Sequence, residues 1–121
     1  MKIELDKNEA VQIVPIGMST GSCPIEEIRE MMPLDELLAQ LAEEASELAQ
    51  AALKMRRTVT DGNPTPVTGR QAKDLLLEDI ADVKLCLHVC GFEKVSDKIQ
   101  VNRIISGKAE RWIERLREVR R

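Results

Sequence analysis

Apolar residues recur by threes and fours along several segments of this chain, and each such run predicts an amphipathic helix. The clearest run spans residues 33–57, where Pro33 opens a helix. Its stripe is Leu34, Leu37, Leu38, Leu41, Ala45, Leu48, Ala52 and Met55. A second run, residues 70–89, has apolar side chains on nearly every face: Leu75, Leu76, Leu77, Ile80, Val83, Leu85, Leu87 and Val89 cannot all meet water. It is predicted to be the most buried helix. A third helix starts near Ser96 and presents Ile99, Val101, Ile104, Ile105, Trp112, Ile113 and Leu116, with Gly107 placed to kink or interrupt it. A short helix over residues 25–32 has Ser22 as its candidate cap and Pro24 in its first turn.

Between these runs the chain carries turn chemistry. Residues 58–70 hold Asp61-Gly62-Asn63-Pro64 and Pro66, which predicts irregular backbone of the length that often covers a site. Thr68 and Gln71 have capping-box spacing and set the next helix start near Gly69. Cys90-Gly91 closes that helix, with Gly91 as its C′ residue. Near the start, Ile3, Leu5, Val11 and Ile13 alternate with polar residues, which suggests a small strand or hairpin. The expected organisation is an N-terminal extension over residues 1–24 and one helical domain over 25–121.

Composition narrows the fold class. The chain has 121 residues, 43% of them apolar and only 2% aromatic. Such a core must rest on Leu, Ile, Val, Ala and Met, which suits helix-on-helix packing and disfavours an all-β fold. The expectation is an all-α protein of four-helix-bundle type. Its helices are too apolar for one small chain to cover, so a homodimer or higher homo-oligomer is expected to complete it. The net charge of −3 excludes a global basic footprint, so no nucleic-acid partner is expected. The three cysteines, with no signal peptide and no membrane-length apolar run, point to a reducing cytoplasm and no membrane.

The acids bring in chemistry. Glu43, Glu44 and Glu47 lie on the first long helix, Glu78, Asp79 and Asp82 on the second. On the first helix alone they read as a solvated acidic face. On the second that reading is weaker, because the helix has little solvent face and an unpaired buried carboxylate costs several kcal/mol. Glu44 and Glu47, and Asp79 and Asp82, are each three residues apart. On antiparallel neighbours the two pairs would surround one small space. Ligands that are all oxygen select hard cations, Mg²⁺ or Mn²⁺, over Zn²⁺. Cys86, His88 and Cys90 do not share a face, so buried thiols are expected there rather than a zinc site.

Glu43-Glu44-Ala-Ser-Glu47 followed by Asp79-Ile-Ala-Asp82 resembles the E-E-x-x-E … E-x-x-D signature of the MazG-like, all-α nucleoside triphosphate pyrophosphohydrolases. The likeness covers about residues 34–112. Lys98 to Arg103 resembles the family's K-x-x-x-N segment, and Lys108 to Trp112 its later K-x-x-R-aromatic pattern. Asp79 departs from the usual Glu, which leaves open whether Asp79, or Glu78 paired with Asp82, is the ligand. The loop between the acid clusters also runs slightly longer than usual. The resemblance implies Mg²⁺-dependent hydrolysis of a (d)NTP to a (d)NMP and pyrophosphate. Glu44, Glu47, Asp79 and Asp82 would be the metal ligands, and Glu43 would order or deprotonate the attacking water, with Glu44 the other catalytic candidate. Lys98, Asn102 and Arg103 would bind phosphate, with Lys108 and Arg111 beside them. The alternative for these basic residues is ordinary surface charge, and for the whole chain a non-catalytic dimerisation or adaptor domain or a nucleotide-binding regulator. Trp112 reads as core or interface in preference to base stacking.

Overall fold

The computed structural model describes residues 23–60 and 68–120. The candidate N-terminal strand, Ser22 and most of the proline-containing loop lie outside these residues. Among the described residues the fold is all-α, with no strand and four helices: α1 (Pro24–Met31), α2 (Leu34–Val59), α3 (Gly69–Cys90) and α4 (Val95–Val119). None of these helices is long and apolar enough to cross a membrane.

The helix ends follow local chemistry, with some departures from expectation. The N-cap of α1 is Cys23, which makes no side-chain capping bond, and Pro24 fills the first turn. Pro33 is the N-cap of α2 rather than its first helical residue. Helix α2 continues through Thr58 and Val59, which the turn-rich composition assigns to irregular backbone. There the Thr58 hydroxyl donates to the Met55 carbonyl at 2.7 Å, so its polar group is satisfied inside the helix. The capping box of α3 is complete: the Thr68 amide donates to Gln71 Oε1 at 3.0 Å and the Gln71 amide to Thr68 Oγ1 at 3.2 Å. Gly91 has φ +85°, the left-handed conformation that stops α3.

Helix α4 runs unbroken through Gly107, so the expected kink is absent. A Cβ added at Gly107 would meet only the Arg111 guanidinium, at 3.5 Å, whereas Gly91 combines open space with its positive φ. Gly107→Ala is therefore expected to stabilise the protein by about 0.5–1 kcal/mol, and Gly91→Ala to destabilise it by about 1–2 kcal/mol. Urea denaturation of the two variants checks the opposite signs.

The chain divides into two compact units, one ending at Cys90 and the other starting at Gly91. In the first, α2 packs along α3, and α1 packs against α3. The two long helices are antiparallel. Gly69 at the start of α3 lies 3.6 Å, measured from an ideal Cβ, from Thr58 at the end of α2. Glu47 lies as far before Thr58 as Asp79 lies beyond Gly69, to within one residue, and these acids meet.

The buried and half-buried positions of α2 are Leu37, Leu41, Glu44, Leu48, Ala51, Met55 and Thr58, with Gln40 beside them. Those of α3 include Ala72, Leu76, Asp79, Val83, Cys86 and Cys90. Both series step by three and four, the repeat of a packed helix seam. The seam of α2 is rotated from the predicted stripe: Ala45 and Ala52 are exposed, and Glu44 and Ala51 take their places. The well-buried apolar side chains are Leu37, Ala51, Ala72, Cys86 and Val89.

Among the described residues α3 has the most buried positions, as predicted, yet much of its apolar surface is uncovered. Leu75, Leu77, Ile80 and Leu85 are exposed, Leu77 to 52%. One neighbour covers one stripe of a helix, and this sequence is apolar beyond that stripe. The C-terminus of α3 is held by α1, where Arg29 Nε donates to the Val89 carbonyl at 3.2 Å and Nη2 to the His88 carbonyl. These are carbonyls that a helix end leaves without partners, and a cation there also suits the helix dipole.

The second unit is built on α4, which has no buried residue. Trp112 is 63% exposed. Lys98 Nζ lies 3.9 Å from Glu93 Oε2, a long and solvated ion pair.

Candidate metal centre

An acid interrupts the seam near the middle of each long helix. Glu44 replaces an apolar residue in the α2 series and Asp79 one in the α3 series, and both are half-buried. Three residues further on, one turn along the same edge, stand Glu47 and Asp82, both exposed. Because the helices run antiparallel, each seam acid meets the other helix's pair. One carboxylate oxygen from each of Glu44, Glu47, Asp79 and Asp82 lies within 4.8 Å of all the others. The cost that composition assigns to Asp82 does not arise in full, since Asp82 reaches solvent.

Glu44 is the most constrained of the four. Gln40, one turn earlier, donates from Nε2 to Glu44 Oε1 at 2.9 Å. Glu44 Oε2 is buried and has no hydrogen-bond partner among the described residues. A buried carboxylate oxygen without a donor is costly. An ion bound by the four carboxylates would supply the missing partner, and the all-oxygen donor set fits Mg²⁺ or Mn²⁺.

The cluster strains its own ionisation. The Glu47 carboxyl is pushed above its ordinary value, first by the hydrogen bond it makes to Glu44 once protonated. The Glu44 charge comes next, then partial burial, then the charges of Asp79 and Glu43. A raised acid holds its proton longer in the folded chain than in the unfolded one, so its contribution is stabilising at low pH. That contribution is lost as pH rises through the raised value. In a chelator, wild type is therefore expected to gain stability as pH falls through the raised Glu47 value toward 4.5, the unperturbed value. Glu47→Gln should lack that gain, and added Mg²⁺ should reverse the slope for wild type. Thermal melts across this pH range, with and without Mg²⁺, check it.

Cys86 is buried, and its thiol is pushed up by burial first, then by the charges of Glu44, Cys90 and Asp82. Burial also raises Cys90. Cys86 is buried as expected, Cys90 is only half-buried, and both are free cysteines outside the acid group. Glu43 is exposed, and its carbonyl accepts a 2.7 Å bond from the Ser46 hydroxyl. Glu78 is exposed and stands outside the group that Asp79 joins. The expected phosphate contacts, Lys98, Asn102, Arg103, Lys108 and Arg111, are exposed positions of α4, in the second unit. The residue that sequence reasoning passed over is Gln40. Its signal was available as the i, i+4 spacing from Gln40 to Glu44, which pairs side chains on one helix face.

No family model, curated protein or solved structure matches the chain. What the fold and the site define is thus a class: an all-α protein with a four-carboxylate group across an antiparallel helix pair.

Proposed function

We propose that this chain is a Mg²⁺-dependent nucleotide pyrophosphohydrolase of the MazG-like kind, converting a (d)NTP to a (d)NMP and pyrophosphate. The observation that carries the reading is the convergence of Glu44, Glu47, Asp79 and Asp82 within 4.8 Å, one of them with a buried, unpartnered oxygen. These four side chains would hold the cation. A bound divalent ion supplies charge neutralisation at the phosphates and a lowered pKa for the attacking water. Glu43, exposed beside the group, orders that water or accepts its proton. Lys98, Asn102 and Arg103, with Lys108 and Arg111, are the proposed phosphate contacts; arginine suits them through its paired N–H donors. The likeness of the Lys98–Arg103 segment to the family's K-x-x-x-N pattern supports phosphate as the substrate group. Clearing unwanted nucleotides in the cytoplasm is the proposed role.

The uncovered apolar side chains of α3 and α4 support a homo-oligomer, since a soluble chain rarely leaves so many in water. The same observation favours a second reading, a helical dimerisation or adaptor module whose acids are only surface. A panel of (d)NTPs with Mg²⁺, read by pyrophosphate release, separates the two. Release with at least one nucleotide, blocked by a chelator, is expected of the enzyme. A chain that releases none and gains no stability from Mg²⁺ is the module.

A further inference from the structure

Helix α4 has 25 residues and buries none of them. A helix in water is held mainly by the apolar face it packs, so this one needs a surface to lie on. At about 100° per residue, Val101, Ile105, Trp112 and Leu116 fall within about 60° of one another, and all four are exposed. Lys98 stands in line with that stripe, and Lys108 and Arg115 border it. Glu110, Glu114 and Glu118 lie on the opposite side. Two such stripes packed on each other would set lysine and arginine against their own kind. The two units of the chain are also charged oppositely. Residues 1–90 carry sixteen acids and nine lysines or arginines, residues 91–121 five acids and nine.

We infer that the stripe of α4 docks on the acid-bearing side of α3 in a second copy of this chain, reciprocally, so that two copies close on each other. On α3, Leu75, Glu78, Asp82 and Leu85 fall within about 80° of one another, and all are exposed. Asp74 borders them, and no lysine or arginine of α3 lies on that side. This side offers leucines to the apolar stripe and carboxylates to its basic edge. A second copy is the occupant because each copy carries both halves of the match, and reciprocal docking leaves neither face over. The inference rests on the oligomer of the proposed function, names its surfaces, and asks nothing of a bound cation.

Trp112 is the sole tryptophan of the chain, so its fluorescence reports the docking. Its emission should move to longer wavelength as the full chain is diluted, in step with the mass read by sedimentation equilibrium. Two charge-reversed variants locate the surfaces. One carries Lys108→Glu and Arg115→Glu, the other Asp74→Lys and Glu78→Lys, all at exposed positions. Each alone is expected to keep wild-type helix content by circular dichroism and to self-associate at least about tenfold more weakly. Mixed in equal amounts, the two should associate as wild type does, because a mixed pair holds one native contact and one doubly reversed. Pairing of α4 with α4 would leave the Asp74→Lys, Glu78→Lys variant fully associated, and packing of α4 on its own chain would leave the mixture unrestored; either result overturns the inference. A Trp112 emission that stays fixed while the mass falls overturns it too, with the oligomer left standing. Wild type of single-chain mass at every concentration overturns both.

Discussion

Glu44→Gln is expected to melt above wild type in a chelator and below it in Mg²⁺. Wild type with a chelator carries four crowded carboxylates, with Glu44 Oε2 buried and without a hydrogen-bond partner among the described residues. Replacing that carboxylate by an amide of the same shape removes one charge from the group and gives the position a donor. The metal-free variant should therefore melt above metal-free wild type. If the group binds Mg²⁺ in the folded chain alone, Mg²⁺ at a hundred times its Kd would stabilise wild type by about 2.7 kcal/mol. The variant should lose most of that gain, so the order of the two melting temperatures inverts when Mg²⁺ is added. Pyrophosphate release should fall by at least about a hundredfold, since the ion's share of transition-state stabilisation is several kcal/mol and each 1.4 kcal/mol is tenfold. Melting curves that keep the same order in chelator and in Mg²⁺ would count against a cation site here. Acids that were merely surface would give that result.

Leu37→Ala should be the most damaging single truncation in the first unit. Leu37 is 4% exposed and lies on the α2 seam, and the other well-buried side chains include Ala51, Ala72 and Cys86, which are small. A core this thin has little else to close a leucine-sized gap, so the expected cost is about 2–5 kcal/mol. Leu77→Ala makes the contrast. With Leu77 52% exposed, a lone chain should change by no more than about 0.5 kcal/mol. If a second copy covers that face of α3, Leu77→Ala costs more, and the cost shrinks on dilution as the association is lost. Urea unfolding of both variants at two protein concentrations reads the core and the proposed association together. A Leu37→Ala protein as stable as wild type would contradict the packing described here.

The legible parts of the fold were those written in local chemistry. Thr68 and Gln71 stand three apart and bond each other's backbone amides as that spacing demands. Gly91 ends α3 because it adopts a positive φ without steric cost. Alternation by threes and fours located both long helices to within a few residues. The register of α2 was less legible, because alanines occur on several faces and do not mark an inside. Ala45 and Ala51 look alike in sequence, yet only Ala51 faces α3. The burial of α3 was overestimated for a related reason. An apolar residue shows what a helix can bury, while a neighbour decides what it does bury.

By itself, the sequence determined that the chain is helical, where its long helices lie, and which carboxylates stand a turn apart. These are consequences of backbone geometry within a few residues. Only the tertiary structure decided that the two pairs meet, that Asp79 joins the group while Glu78 stands outside it, and that Glu44 carries a tied oxygen and a sealed one. The reason is physical: whether a carboxylate is a solvated charge or a candidate ligand depends on what surrounds it. For Glu44 those surroundings come partly from α3, a helix that the chain reaches only after a loop.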